Sequence, residues 1–554
     1  MKRKRLHTVI FILTIASNSA FSQDTKPNWG SVSGNFHSDS YWYFNDPAIS
    51  STDVSEKILS SNWANINYRL GSFSMGVRFE AYLNTLLGYP NLGKRNDGIG
   101  LPFYWASFTK DKFDITVGSF YEQFGNGIVL RSYEEKSLGI DNAFVGARVK
   151  FTPVNGVYIK GFVGKQRYYW GLGDGIIRGL DAEISFNEVM KKWANSSLLA
   201  TIGGSFVSKY QKEDNPIYNL PNNVAAMSGR INLRYKGAAL NSEYAYKIND
   251  PSPENNYIYK PGQAILIDLS YSQKGFGINI STKWVDNMSF RSDRNATLGD
   301  LTINSLPVIT TNHSYALEAF YPYASQTQGE WGVKAEASYT FKKKSKLGGK
   351  YGTTISIGYA RVHAIKKAQI NDSIPIGATG TLGYESKLFS IGKQLYYQEI
   401  SAGMTKKWTK NFSSILSYMH VIYNYNLLRG VSGHEMVYAN IALADLTYKF
   451  NDKYALKGEL QGLFTKQDEG HWGLAHIEFT MPHWFFSVMD NWNFGNPDKN
   501  NRQHYYNFGV GYIFGSSRIS ISYGRQREGV LCVGGVCRNV PAASGVGLSL
   551  STTF

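Results

Sequence analysis

The last eleven residues constrain this chain more than any other stretch. From Ser544 to Phe554 the bulky side chains fall on alternate positions: Val546, Leu548, Leu550 and Phe554 share one face, and Gly545, Gly547, Ser549 and Ser551 share the other. A period of two marks a strand, because successive Cβ atoms point to opposite sides. The sequence stops on an aromatic, so no tail is expected to cover the apolar face. Lipid on one side and a polar lumen on the other suits such a strand best. The expected fold is all-β: a single transmembrane antiparallel β-barrel.

The opposite end supports export. Lys2, Arg3, Lys4 and Arg5 form a basic n-region, residues 9–16 a short apolar core, and Ala20 and Ser22 small residues at −3 and −1 before Gln23. That pattern is a cleavable secretory signal over residues 1–22. No Cys follows the apolar run, which argues against a lipid anchor. Residues 23–31 then make a short periplasmic segment, and 32–554 the barrel. So few residues before the first strand disfavour a plug domain and energy-coupled uptake.

Composition fits the same class. Aromatic residues make up 15% of the chain and Gly numbers 55, yet mean hydropathy is only −0.29. No run of apolar residues is long enough for a spanning helix. Alternating strands reconcile these facts, because each hides its apolar face from a window average. Removing the four basic signal residues lowers the formal charge from +16 to +12. Export argues against nucleic acid as a partner despite that charge.

Alternating segments follow one another along the chain. Ala64, Ile66, Tyr68 and Leu70 oppose Asn65, Asn67 and Arg69, and a Gly71-Ser72 turn leads to Phe73, Met75, Val77 and Phe79 against Ser74, Gly76, Arg78 and Glu80. Short connections carrying Lys, Asn, Asp or Gly alternate with long ones, notably 122–141, 287–330, 363–392 and 528–543. Barrels of this kind place short turns in the periplasm and long loops outside, with an even strand number. A stretch from His313 to Tyr321 also alternates, but a wall strand there would break the short–long order. Assigning it to the long outer loop gives about 24 strands.

Three motifs carry a family resemblance. They are Gly118-Ser-Phe-Tyr-Glu-Gln-Phe-Gly-Asn-Gly-Ile128 with Arg131-Ser-Tyr-Glu-Glu135 and Leu138-Gly-Ile-Asp-Asn-Ala143; Tyr321-Pro-Tyr-Ala324 before Gly329-Glu330; and Val533-Gly-Gly-Val-Cys-Arg-Asn-Val-Pro541. Together they resemble an uncharacterised family of Gram-negative outer-membrane barrels. The resemblance implies fold and compartment but brings no catalytic or binding residues. Phe554 is likewise similar to the terminal aromatic of bacterial outer-membrane barrels, which implies recognition by barrel-assembly machinery. Outer-membrane lipid and that machinery are the expected partners.

Chemistry nominates the sites. Cys532 and Cys537, separated by four residues in the last outer connection, are most simply a disulfide closing a hairpin tip. A metal-bound or redox-active pair is the alternative, though it lacks the usual two-residue spacing. Glu122, Arg131, Glu134, Glu135, Lys136 and Asp141 place both signs of charge on one long connection. That connection either folds inward as a lumen constriction or stays a solvated surface loop.

Wall charges alternating with apolar residues belong inside the barrel, among them Arg78, Glu80, Arg148, Arg230, Glu243, Lys283 and Glu459. His471, His476 and His483 straddle neighbouring strands and could meet at a metal, against the plainer reading of ordinary strand histidines. Gly171-Leu-Gly-Asp-Gly175 is expected at a hairpin tip. Asn312-His313-Ser314 has no evident catalytic partner, so the chain is read as no enzyme, without cofactor. A porin-like solute channel is the leading function. The alternative is a non-conducting scaffold or interaction barrel for surface assembly or secretion, with a secreted or periplasmic partner.

Overall fold

The computed structural model describes residues 29–89, 98–213, 215–297, 299–533 and 536–554. The expected signal peptide over residues 1–22 and all but the end of the 23–31 segment lie outside the described residues. Strand faces follow the alternation. Within Phe73–Leu83, Val77 and Phe79 are exposed while Arg78 and Glu80 are buried. Within Asn223–Tyr235, Met227 and Ile231 face out while Ser228 and Arg230 face in. This inversion of a soluble protein's pattern recurs around the wall, and an exposed apolar band of that kind is stable only against lipid. No helix among the described residues is long and apolar enough to cross a membrane.

The wall is one 24-stranded antiparallel sheet closed on itself. Ser31–Phe44 pairs with Ile58–Leu70 on one side and Ala543–Thr553 on the other, with Asn35 opposite Thr553 and Phe44 opposite Ser544. Closure leaves no unpaired edge. The expected strand number and parity are therefore met. His313 and Tyr321 lie in the 287–329 connection without strand structure, as assigned.

Tight turns such as 71–72, 111–112, 236–237 and 515–516 gather on one rim with both ends of the barrel, and the long connections gather on the other. The alternation has exceptions. On the short-turn rim, 186–197 and 342–352 are extended. On the long-loop rim, only residues 169–170 join Val157–Tyr168 to Gly171–Ser185.

Gly171 to Gly175 are thus strand rather than hairpin tip. Tyr169 takes the left-handed turn position with φ 52°. The glycines serve a different end: a Cβ at Gly175 would lie 2.0 Å from the Ser292 carbonyl oxygen, and one at Gly173 3.1 Å from Leu301. Their absent side chains let the 287–329 connection lie directly on the wall.

That contact locates the core. It sits inside the barrel, in the half nearer the long-loop rim. One apolar cluster joins Phe124, Ile128 and Leu130 to the lumen face at Phe162, Val207, Val224 and Val285, together with Met288, Phe290 and Ile303. A second joins Leu317, Phe320, Tyr321 and Tyr323 to Val362, Met419, Val421, Val437 and Trp472.

Candidate functional site

The 121–143 connection folds inward as two small hairpins, Gln123–Phe124 with Leu130–Arg131 and Glu134–Glu135 with Ile140–Asp141. At the first tip, Gly125 has φ 50°, and a Cβ there would meet the Glu243 carboxylate at 2.5 Å. Glu243 Oε2 accepts the Asn126 backbone N–H at 2.7 Å, so a lumen-facing carboxylate grips the tip. Phe124, Ile128, Val129 and Leu130 are fully buried, each worth roughly 1.5–3 kcal/mol of transfer free energy. Burial of that order, with the hydrogen bonds, explains why this loop lies in the lumen rather than in solvent.

The 287–329 connection locks onto it. Asn304 donates to the carbonyls of Ile128 (3.0 Å) and Met288 (2.8 Å), Arg131 N–H to Ile303 (2.8 Å), and Ser305 N–H to Gly127 (3.0 Å). The two loops are one plug. Its polar anchors reach the wall at three further places. Lys283, which pairs with Glu330 of the next strand, donates to Ser325 Oγ at 3.1 Å and to the Pro307 carbonyl. Fully buried Arg294 lies 3.4 Å from Asp250, which Lys209 also holds at 2.6 Å. His313 sits 3.6 Å from Glu318 and 3.1 Å from Glu399. Burial alone would lower the His313 pKa, but the two carboxylates reverse this and hold it up at about 9.

The nominated charges divide into three groups. Glu134 and Asp141 join the wall: Arg78 pairs with Glu134, with Asp141 at 2.5 Å and with Glu80 at 2.9 Å, while Arg167 reaches Glu80 at 2.7 Å and also Asp141. Lys136 closes on Glu134 at 2.5 Å and lies 4.4 Å over the Trp63 ring. Glu122 turns to a second basic group, Lys160 at 3.2 Å and Arg148 and Lys150 at 3.6 Å. Arg131 lies over Tyr133 at 4.8 Å, and Glu135 caps the short helical turn at Ser137. Charges buried this deeply persist only when paired.

Arg167 escaped the alternation argument because the strand register shifts between Lys165 and Arg167. The partners of His313 were equally invisible, since Glu399 is remote in sequence. Its two neighbouring carboxylates make a plug anchor. The histidine trio does not converge. His471 and His483 flank opposite ends of Trp472–Met481, so they lie near opposite rims, and His476 faces Glu459 at 3.9 Å. No metal-binding cluster occurs among the described residues.

Beside the plug a cavity of about 1160 Å³ remains. The wall contributes His37, Asp39, Trp63, Glu80 and Tyr82, and the plug Glu134, Lys136 and Asp141. The hairpin Gly529–Val533 with Val536–Val540 overhangs it, carrying the Cys532–Cys537 disulfide. Arg538 fixes that hairpin by donating to Ser137 O at 2.7 Å and Gly88 O at 3.1 Å. At the barrel seam, Phe554 pairs its backbone with Gly34. A Cβ on Gly34 would come within 2.6 Å of the Phe554 ring.

A closed transmembrane barrel with an internal plug of its own loops is the class these features define. The whole chain, residues 1–554, matches a family model described as "Family of unknown function (DUF6029)", and the protein belongs to that family. No curated protein matches it. Among solved structures it is similar in outline to the P pilus usher (PapC) translocation pore, with TM-score 0.45, 9% identity, 94% of this chain and 99% of that one covered. It is also similar to the siderophore receptor PirA from Pseudomonas aeruginosa, with TM-score 0.41, 11% identity, 96% and 81% covered. A Rh. blastica porin variant gives TM-score 0.25 at 12% identity, covering 64% of this chain and 100% of its own. These likenesses extend to the fold alone.

Proposed function

We propose that the protein is a porin-like solute channel of the outer membrane, exported through a cleaved signal peptide, with its short turns in the periplasm and its long loops outside. The observation that carries this reading is the cavity left between the plug and the wall at His37, Asp39, Trp63 and Glu80. A 24-stranded wall encloses far more space than its own side chains fill, and the plug occupies only part of it. Solute then passes along the cavity, where Glu134 and Lys136 meet it and Arg131 and Glu135 do not line it. Insertion of the barrel by assembly machinery that recognises Phe554 belongs to the same reading.

Purified protein in planar bilayers is expected to conduct ions. Glu134→Lys should move the reversal potential in a salt gradient toward anion preference, and Glu135→Lys should move it far less. A silent recording, together with stable copurification of a secreted or periplasmic protein, transfers the reading to the scaffold alternative.

A further inference from the structure

The short-turn rim carries a charge patch that the channel reading does not use. The turn at 342–352 holds Lys342, Lys343, Lys344, Lys346 and Lys350, all exposed. The neighbouring strand end and turn add Lys406, Lys407 and Lys410. No Asp or Glu occurs between Glu336 and Asp372, or between Glu399 and Glu435. None of these eight lysines makes an ion pair among the described residues, whereas the lumen lysines Lys209, Lys283 and Lys457 all do.

The two turns form a single patch. A Cβ on Gly349 would lie 3.8 Å from Lys406 Cε, and Lys350 and Lys407 approach the same Tyr351 ring at 5.6 and 5.3 Å. Its position is that of the membrane boundary. Lys406 stands two places beyond Met404, which pairs with the lipid-facing Ile355. Lys406 Nζ lies 4.2 Å over Trp408, which is itself exposed on that outer side. Tryptophan and tyrosine rings settle at the headgroup level. Lysine stems beside them run along apolar surface and deliver the ammonium to the same depth.

We infer that this patch binds the phosphate groups of anionic phospholipids in the leaflet at the short-turn rim. Clustered unpaired lysines at a membrane boundary gain attraction from each lipid phosphate they neutralise. Lys406 and Trp408 join the patch to the lipid-facing wall, which favours lipid over a soluble acidic partner.

The test titrates full-length protein in uncharged detergent with phosphatidylglycerol or phosphatidylcholine, counting bound lipid by native mass spectrometry. Phosphatidylglycerol should be retained at least about fivefold over phosphatidylcholine. That preference should vanish in the combined variant Lys342→Gln, Lys343→Gln, Lys344→Gln, Lys346→Gln, and fall in Lys406→Gln, Lys407→Gln, Lys410→Gln. It should persist when Lys366, Lys387 and Lys393 near the opposite rim are changed to Gln. Heat-modifiable mobility on gels confirms that each variant is folded, and the two turn variants are independent should one fail. Equal retention of both lipids overturns the inference, as does a preference that survives both turn variants. Loss of the preference in millimolar inorganic phosphate overturns it by revealing a free-anion site. Lysine-dependent binding of polyglutamate without lipid preference overturns it in favour of an acidic protein partner.

Discussion

Two sectors of the same wall present opposite lumen faces. Around the plug, inward positions on the long-loop half are apolar and buried: Val207, Val224, Ala245, Val285, Val362, Val421 and Val437. Around the seam, the inward row that runs across the pairings Ser487–Gly509, Gly509–Ser522 and Ser522–Gly547 is small and polar, and in the next row Gly511, Ser520 and Ser549 follow Phe485, whose ring lies over Gly511. The outward faces hardly differ, with Met227 and Leu269 in one sector and Val488 and Leu548 in the other all exposed to lipid. Lipid therefore imposes one rule on the outside everywhere. The inside varies with what it touches: apolar where loops pack against it, and rich in Gly and Ser beside the seam.

Removing the plug should erase this difference and gives the largest effect. Replacing residues 302–326 with a short Gly-Ser connection strips Ile303, Leu317, Phe320 and Tyr323 from the core. Single-channel conductance should then rise further than in any point variant. An unchanged conductance would mean that this connection does not obstruct the path.

Two inward arginines, one in each sector, should differ in what they contribute to stability. Arg78→Met leaves Glu80, Glu134 and Asp141 short of a cation in a buried network, which should cost about 3–5 kcal/mol. Arg518→Met in the seam sector removes only a contact over the Phe485 ring at 4.6 Å and should cost about 1 kcal/mol or less. Urea midpoints of the refolded barrels distinguish them, and equal losses would refute the division into sectors.

The third effect is pH-dependent and smaller. His313 has its pKa raised to about 9 from an ordinary 6.5 by Glu318 and Glu399. A raised pKa in the folded state means that its contribution is fully present below the ordinary value and is lost as pH rises through about 9. The plug should thus be held most firmly below pH 6.5 and loosen between there and pH 9. Protease accessibility of the 287–329 connection checks this, and His313→Gln should flatten the dependence.

Much of the wall was legible because its rule is local. Alternation in residues 64–70 or 544–554 needs no knowledge of distant parts, and burial of Arg78 and Glu80 follows from the exposure of Val77 and Phe79. The inward turn of the 122–141 charges was legible as one of two alternatives, and Glu134 and Asp141 do meet wall arginines. What stayed hidden is non-local. Gly173 and Gly175 looked like a turn because nothing near them in sequence reveals the loop that lies against them. The His313–Glu399 pair spans 86 residues, and Arg167 faces inward through a register shift that alternation cannot anticipate.

Solute is proposed to pass along the cavity between the plug and the wall, beside the seam. Single-channel recording of Ser522→Trp beside the native protein checks this, because the inward row of Ser522 continues through Gly547 to the strand that carries His37 and Asp39 of the cavity lining. The native barrel should conduct, and its conductance should fall several-fold in the variant with the urea midpoint little changed. A native barrel that conducts equally well with tryptophan at that position, or does not conduct at all, would contradict it.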